Sequence, residues 1–265
     1  VVRGQHLKLR SDKGLKVALA PFLRKCPAVL TLGVRAAISE YSATARAAIL
    51  QAERIFFPTP RFVDIFDALD LPTFPNPTTY KYQRSRLLQQ SLFKYHDLPS
   101  PRTRVYYGVR QKARILKDFG LPLILLSPQA IPEKMHFIRD TTDLIYWGEV
   151  YNPVLVQEAV PLEEQYRFLC VHYQILVAVR SHSAGSRQPS DEPVSLENPA
   201  LGRPLELTRQ LLHAGRLDDV LVEWGHGKGY WWLLGLSRPP ARMPALDGTL
   251  QRHQHICELI QAGVL

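Results

Sequence analysis

Short runs of branched and aromatic residues, bounded by glycine or proline, alternate along this chain with stretches in which apolar residues recur every three or four positions. Residues 15–20 and 28–32 read as strands. Between Arg35 and Arg54 the positions Ala37, Ile38, Tyr41, Ala45, Ala48, Ile49 and Ala52 predict a helix, which alanine favours. Ile55 to Phe57 reads as a buried strand closed by Pro58 and Pro60, and Val63 to Leu69 as a further helix. This order suits a small α/β unit with a parallel sheet. The proline-spaced segment Leu71 to Pro77 interrupts regular structure and marks a first domain boundary.

Further along, Leu87, Leu88, Leu92 and Phe93 share one face of a helix spanning Arg84 to Tyr95. Residues 109–119 form a helix ended by Gly120, and Leu121 to Pro128 a buried strand. Val154–Val160 and Arg167–Arg180 read as strands, and Ser181–Pro204, rich in Ser, Pro and Gly, as a long loop. Leu205 to Leu212 is a helix. Asp218–Trp224 and Gly229–Pro240 then make a hairpin joined at Gly225–Gly229, and a closing helix from Thr249 to Ala262 presents Ile256, Leu259 and Ile260.

With 265 residues, 46% hydrophobic and 22% charged, the chain has the make-up of a globular protein with room for two or three lobes. No uncharged apolar run is long enough to span a bilayer, and Val1 to Lys16 lacks the apolar core of a secretory signal, so a cytoplasmic location is expected. Cys26, Cys170 and Cys257 are odd in number and widely spaced; plain thiols are expected rather than a disulfide framework or a metal site. The net charge of +9 sits in the front of the chain: 11 basic against 6 acidic residues in 1–80, 12 against 6 in 81–155, and 10 against 12 in 156–265. Such a surplus suits polyphosphate, nucleic acid or an acidic protein surface, but no nucleic-acid reader motif accompanies it, so nucleic acid is not the expected partner.

Gly225–Gly229 lacks the spacing and the following Ser or Thr of a phosphate-binding loop and reads as a turn. His253 and His255 are two apart on a helix, point away from each other, and are expected to face solvent. Tyr230, Trp231 and Trp232 alternate across a strand and are assigned to core and interface.

Residues 53–240, taken in order, resemble the ATP-grasp superfamily, in the branch of the ribosomal-protein glutamate ligase and glutathione synthetase. The resemblance is carried by Pro99–Thr103 after a helix that begins Ser85-Arg86, by Val156–Val160, by Glu163–Arg167, by Asn198–Gly202 and by the closing hairpin. It implies an α/β fold with an N-terminal α/β lobe (1–80), a central lobe (81–155) and a C-terminal antiparallel-sheet lobe (156–265). It also implies a nucleotide cleft in which Arg86, Gln157, Glu158, Ala159, Val160, Arg167 and Arg180 are the candidate binding residues. A surface charge at a strand end is the other reading of Arg167 and Arg180.

The family features that hold phosphate and magnesium are replaced. Leu126 and Ser127 stand where the family has a lysine, and Gln129–His136 stands in place of a glycine-rich loop. Gly235 and Ser237 occupy the positions of a metal-binding glutamate and asparagine. The expectation is a fold that has lost ligase activity and serves as a binding or structural module beside a protein partner or an intact paralogue. It would hold ATP weakly at most and no magnesium. The alternative is an active carboxylate–amine ligase working through an acyl phosphate, with Arg180 and Asn198 catalytic and Glu223 the metal carboxylate.

Overall fold

A computed structural model describes residues 14–130, 134–181, 191–241 and 251–265, and the chain divides into two compact units. Residues 1–13 of the N-terminal stretch, 131–133 and 182–190 of the two expected loops, and 249–250 of the closing helix lie outside the described residues.

The first unit runs to Pro77 and includes Arg252–Leu265. Its sheet, ordered β2-β1-β3-β4, is parallel and consists of β1 (Lys16–Ala18), β2 (Leu30–Thr31), β3 (Arg54–Phe56) and β4 (Thr73–Phe74). Helix α1 (Ala43–Leu50) connects β2 to β3, and α2 (Pro60–Ala68) connects β3 to β4. The Ser42 and Thr59 side chains accept from Ala45 N and Phe62 N and so set where each helix begins. Val17, Ile49, Ile55, Phe62 and Phe66 bury the faces that their periodicity predicts. Helix α1 is shorter than expected, because residues 38–40 form a separate 3-10 turn.

The C-terminal helix, Arg252–Gln261, corrects three expectations. It belongs to this first unit rather than to a lobe running from 156 to 265, since it packs on the turn Pro21–Leu23 and is joined to it by a Cys26–Cys257 disulfide. Those two cysteines are therefore not plain thiols; across 231 residues the tertiary fold brings their Cα atoms to 5.6 Å, which spacing alone could not reveal. Cys170 is a buried thiol whose pKa desolvation pushes up. Third, His253 does not face solvent but stacks on Phe22, with ring centroids 4.5 Å apart, and lies edge-on to Phe57.

Burial, helped by the neighbouring Arg252, pushes the His253 pKa down to about 4. The ordinary value of about 6.5 lies above this, so the unfolded chain binds the proton first. The stability His253 contributes is thus complete above about pH 6.5 and is lost as pH falls toward about 4. Thermal melts across that window should show a falling Tm, and His253→Phe should flatten the fall. An identical slope in the variant would refute the assignment.

The second unit, Thr78–Gln251, holds two antiparallel sheets. Helices α3 (Pro77–Arg84) and α4 (Arg86–Tyr95) lead to β5 (Thr103–Tyr106), α5 (Gly108–Lys112), α6 (Ile115–Phe119), β6 (Leu123–Leu126), β7 (Met135–Ile138), α7 (Thr141–Val150) and β8 (Val154–Glu158). The first sheet is ordered β5-β8-β6-β7. The expected helix over 109–119 breaks between α5 and α6, and the expected loop over 129–136 is in part strand, because Met135 and His136 pair with Leu126 and Leu125.

The second sheet, ordered β11-β10-β9-β12-β13, contains β9 (Glu164–Val171), β10 (Gln174–Ser181), β11 (Asp191–Val194), β12 (Asp219–Gly227) and β13 (Tyr230–Ser237), with α8 (Gly202–Ala214) between β11 and β12. The expected strand over 167–180 is really two strands of a hairpin. His172 and Tyr173 turn it with φ of 48° and 64°, without the glycine or asparagine that normally signals such a turn. The closing hairpin stands as expected, but its turn is Lys228-Gly229. Gly227 continues β12, and a Cβ there would overlap the carbonyl oxygen of Pro161. The expected loop over 181–204 contributes the edge strand β11. Among the described residues no helix is long and apolar enough to cross a membrane.

Candidate functional site

Strand alternation divides the second sheet into two chemically different faces. Phe168, Cys170, Val222 and Trp224 belong to the large core that also takes in Leu205, Leu211 and Leu212 of α8, where Trp224 Nε1 donates to Thr208 Oγ1 at 2.9 Å. Gln165, Arg167 and Leu169 alternate to the opposite face, where Leu169, Val179 and Leu221 form a small apolar floor. A cavity of about 420 Å³ is lined by Gln165, Arg167, Ser181, Glu223 and Leu234.

Glu223 is the centre of this site. It stands opposite Arg167 on β9 and Gly235 on β13, and its Oε1 accepts the Ser237 hydroxyl at 2.7 Å. The tertiary structure thus gathers the Glu223, Gly235 and Ser237 singled out in the sequence. It adds Gln89, which was missed. The Gln89 side-chain amide donates to Leu236 O at 2.7 Å and accepts from Leu236 N at 3.1 Å, so a side chain of α4 completes the outer rung of β13. Its Nε2 also donates to Tyr82 O. A Cβ built on Gly235 would lie 3.5 Å from Gln89 Oε1 and 3.8 Å from Glu223 Oε2, so there is room there for a side chain to begin. The sequence carries no distinct signal for Gln89, since it stands beside a second buried glutamine, Gln90, on the same helix.

Arg86 opens α4, and its Nη1 donates to the carbonyls of Gln129 at 3.0 Å and Lys134 at 3.2 Å. Arg86 N donates to Pro128 O, and Ala130 N to Arg84 O. The guanidinium thereby pins the segment that stands in place of the glycine-rich loop. Burial lowers its pKa, while the charge of Glu223 opposes that shift, which places the two within electrostatic reach. Ser127 is buried, and its hydroxyl donates to Gln129 O at 2.7 Å.

Arg180 does not join Arg86 and Arg167. In register it lies with Tyr166, on the face opposite Arg167, and donates to Glu164 at 3.1 Å and Glu192 at 3.0 Å. Hydrogen bonds to Glu192 and Glu164 raise its pKa further. The resemblance alone grouped Arg180 with Arg167; a separation of 13 positions puts the two on opposite faces of an alternating strand, and the register agrees. Asn198 is exposed, and its Oδ1 accepts from Ala200 N to cap the short turn before α8. Gln157 is buried with its amide on Thr103 Oγ1, and Glu158 accepts from Arg102 N at 2.7 Å. Ala159 and Val160 follow where the ladder of β8 stops. Glu163–Arg167, one of the segments that carry the resemblance, leads into and forms the start of β9.

Glu223 is the carboxylate among the residues that line the cavity. Octahedral magnesium is held by carboxylates and phosphates; here one carboxylate, already accepting a hydroxyl, sits across from one arginine and within reach of the charge of another. Among the described residues no three His, Cys, Asp or Glu side chains group to hold a metal ion.

No protein-family model matches the sequence, and no curated protein matches it. Solved structures do. A RimK-domain ATP-grasp protein from Sphaerobacter thermophilus superposes with a TM-score of 0.71 at 15% identity, covering 92% of this chain and 98% of that one. The ATP-grasp ligase PsnB, complexed with a phosphomimetic variant of its minimal precursor, Mg and ADP, gives 0.70 at 12% identity over 95% and 98%. D-alanine–D-alanine ligase from Bacillus anthracis, complexed with ATP, gives 0.69 at 10% identity over 93% and 95%. Superposition at these TM-scores over nearly the whole length of both chains establishes that this protein has the ATP-grasp fold.

Proposed function

We propose that the chain is an ATP-grasp-fold protein without ligase activity, a binding or structural module whose cavity retains weak, metal-independent affinity for a nucleotide or another anion. The observation that carries this reading is the setting of Glu223: its carboxylate accepts from Ser237, faces a glycine across the hairpin, and has Arg167 opposite. Acyl-phosphate chemistry depends on positioning and neutralising the γ-phosphate. The groups available for that are an arginine spent on the carbonyls of Gln129 and Lys134 and a serine hydroxyl spent on Gln129. Arg167 lies on the cavity face across from Glu223, and a cation lining a cavity suits an anion as ligand without magnesium.

The experiment is an ADP-release assay with Mg-ATP and mixtures of amino acids and peptides, paired with calorimetry of ATP with and without magnesium. The expected result is no ADP and no gain in affinity from the metal. Metal-dependent ADP release abolished by Glu223→Ala would establish the competing reading, an active carboxylate–amine ligase, which the retained carboxylate favours. The partner is proposed to be another protein, an intact paralogue among the candidates. The cytoplasmic location expected from the sequence is in tension with the Cys26–Cys257 disulfide, since the cytosol keeps thiols reduced.

A further inference from the structure

Residues 102–117 carry six cations, Arg102, Arg104, Arg110, Lys112, Arg114 and Lys117, and no acidic residue. The stretch lies in the second unit, and its cations are exposed except for the half-buried Lys112. Strand β5 lies at the edge of its sheet, and its side chains meet the end of α6: Arg104 Nη1 pairs with Asp118 Oδ2 at 3.0 Å, Tyr106 Oη donates to the same oxygen at 2.9 Å, and the Arg102 guanidinium lies 4.3 Å from the centre of the Phe119 ring. Lys112 Nζ donates to Tyr151 O, and Gly108 N to Asn152 Oδ1, which fixes α5 against the chain entering β8.

Three properties of this surface identify what it fits. Arg110, Arg114 and Lys117 are exposed and have no acidic partner among the described residues. Val109, at 85% exposed, Tyr107 and Leu116 stand in water between these cations. The surface already holds carboxylates, Asp118 on Arg104 and Glu158 on Arg102. Nucleic-acid bases stack on aromatic faces, whereas the exposed aliphatic side chains of Val109 and Leu116 among the cations match a chain in which acidic and apolar residues alternate. On the outer edge of β5 the Thr103 carbonyl already accepts from Lys94 Nζ, so a docked segment is held by side chains rather than by adding a strand. We propose that the β5–α5–α6 surface docks an extended acidic polypeptide segment of a partner protein, with arginines on its carboxylates and Val109 and Tyr107 against its apolar residues. This inference is independent of whether the cavity at Glu223 is catalytic.

The test is fluorescence anisotropy of the full chain at physiological ionic strength with three labelled probes: a peptide alternating glutamate and leucine, an all-glutamate peptide, and a single-stranded oligonucleotide of equal charge. The alternating peptide should bind most tightly. Arg110→Glu combined with Arg114→Glu should weaken it by about tenfold or more, and Val109→Ser by several-fold while leaving the all-glutamate peptide unchanged. All three positions are exposed, so unchanged thermal melts will show that the variants fold. Tighter binding of the oligonucleotide, indifferent to Val109→Ser, would assign the surface to nucleic acid and overturn the proposal. So would an alternating peptide that fails to bind or that ignores the charge reversal.

Discussion

Trp224→Ala is expected to destabilise the second unit by about 3–5 kcal/mol, the range for truncating a buried tryptophan. The ring is fully buried among Phe168, Leu205, Leu211 and Leu212, and its Nε1 donates to Thr208 Oγ1. Truncation removes the packing between β12 and α8 together with that hydrogen bond. Total stabilities of about 5–15 kcal/mol are ordinary for a domain, so the variant should be largely unfolded at modest urea or insoluble. Trp224→Phe keeps most of the ring volume and strands only the Thr208 hydroxyl, so its cost should be nearer about 1–2 kcal/mol. Urea unfolding followed by far-UV circular dichroism separates the two. A midpoint for Trp224→Ala equal to that of Trp224→Phe would mean that the tryptophan is not the keystone of the helix–sheet interface.

Gly235→Glu combined with Ser237→Asn is expected to produce no ADP release. The pair returns the oxygen ligands that the resemblance implies at these positions, and the room beside Gly235 lets a side chain start without a clash. Two deficiencies remain on the other side of the cleft. Leu126 and Ser127 supply no cation, and Arg86 is committed to the carbonyls of Gln129 and Lys134. Phosphoryl transfer relies on positioning and charge together, so restoring metal ligands alone leaves the γ-phosphate unheld. A coupled assay sensitive to a single turnover reads the outcome. Measurable ADP release by the double variant would show that the phosphate side of the cleft is competent and that two substitutions silenced an otherwise intact ligase.

The three arginines illustrate where sequence reasoning stops. The order of motifs from Pro99 to Ser237 was enough to anticipate the fold and to single out Glu223, Gly235 and Ser237. These three meet because both strands of a local hairpin carry them, with a register shift between Glu223 and Trp224 setting Glu223 opposite Gly235 rather than Leu234. Arg180 was grouped with Arg167 through the resemblance, whereas alternation over the 13 positions separating them sets the two on opposite faces, as the register has it. Arg86 was recognised as a cation, but its duty to the 127–134 carbonyls depends on contacts some forty residues away.

What the amino-acid order determined by itself was local: hydrophobic period, helix caps at Ser42 and Thr59, the glycine-bearing hairpin turn, and the identities Leu126, Ser127, Gly235 and Ser237 at positions where the resemblance implies phosphate and metal ligands. Only the tertiary structure decided the long-range pairings. It joined Cys26 to Cys257, stacked His253 on Phe22, and set Gln89 onto the backbone of Leu236. The physical reason is that periodicity and capping energies act over a few residues, whereas each of these pairings brings together groups far apart in the chain, whose meeting is fixed by how whole elements pack.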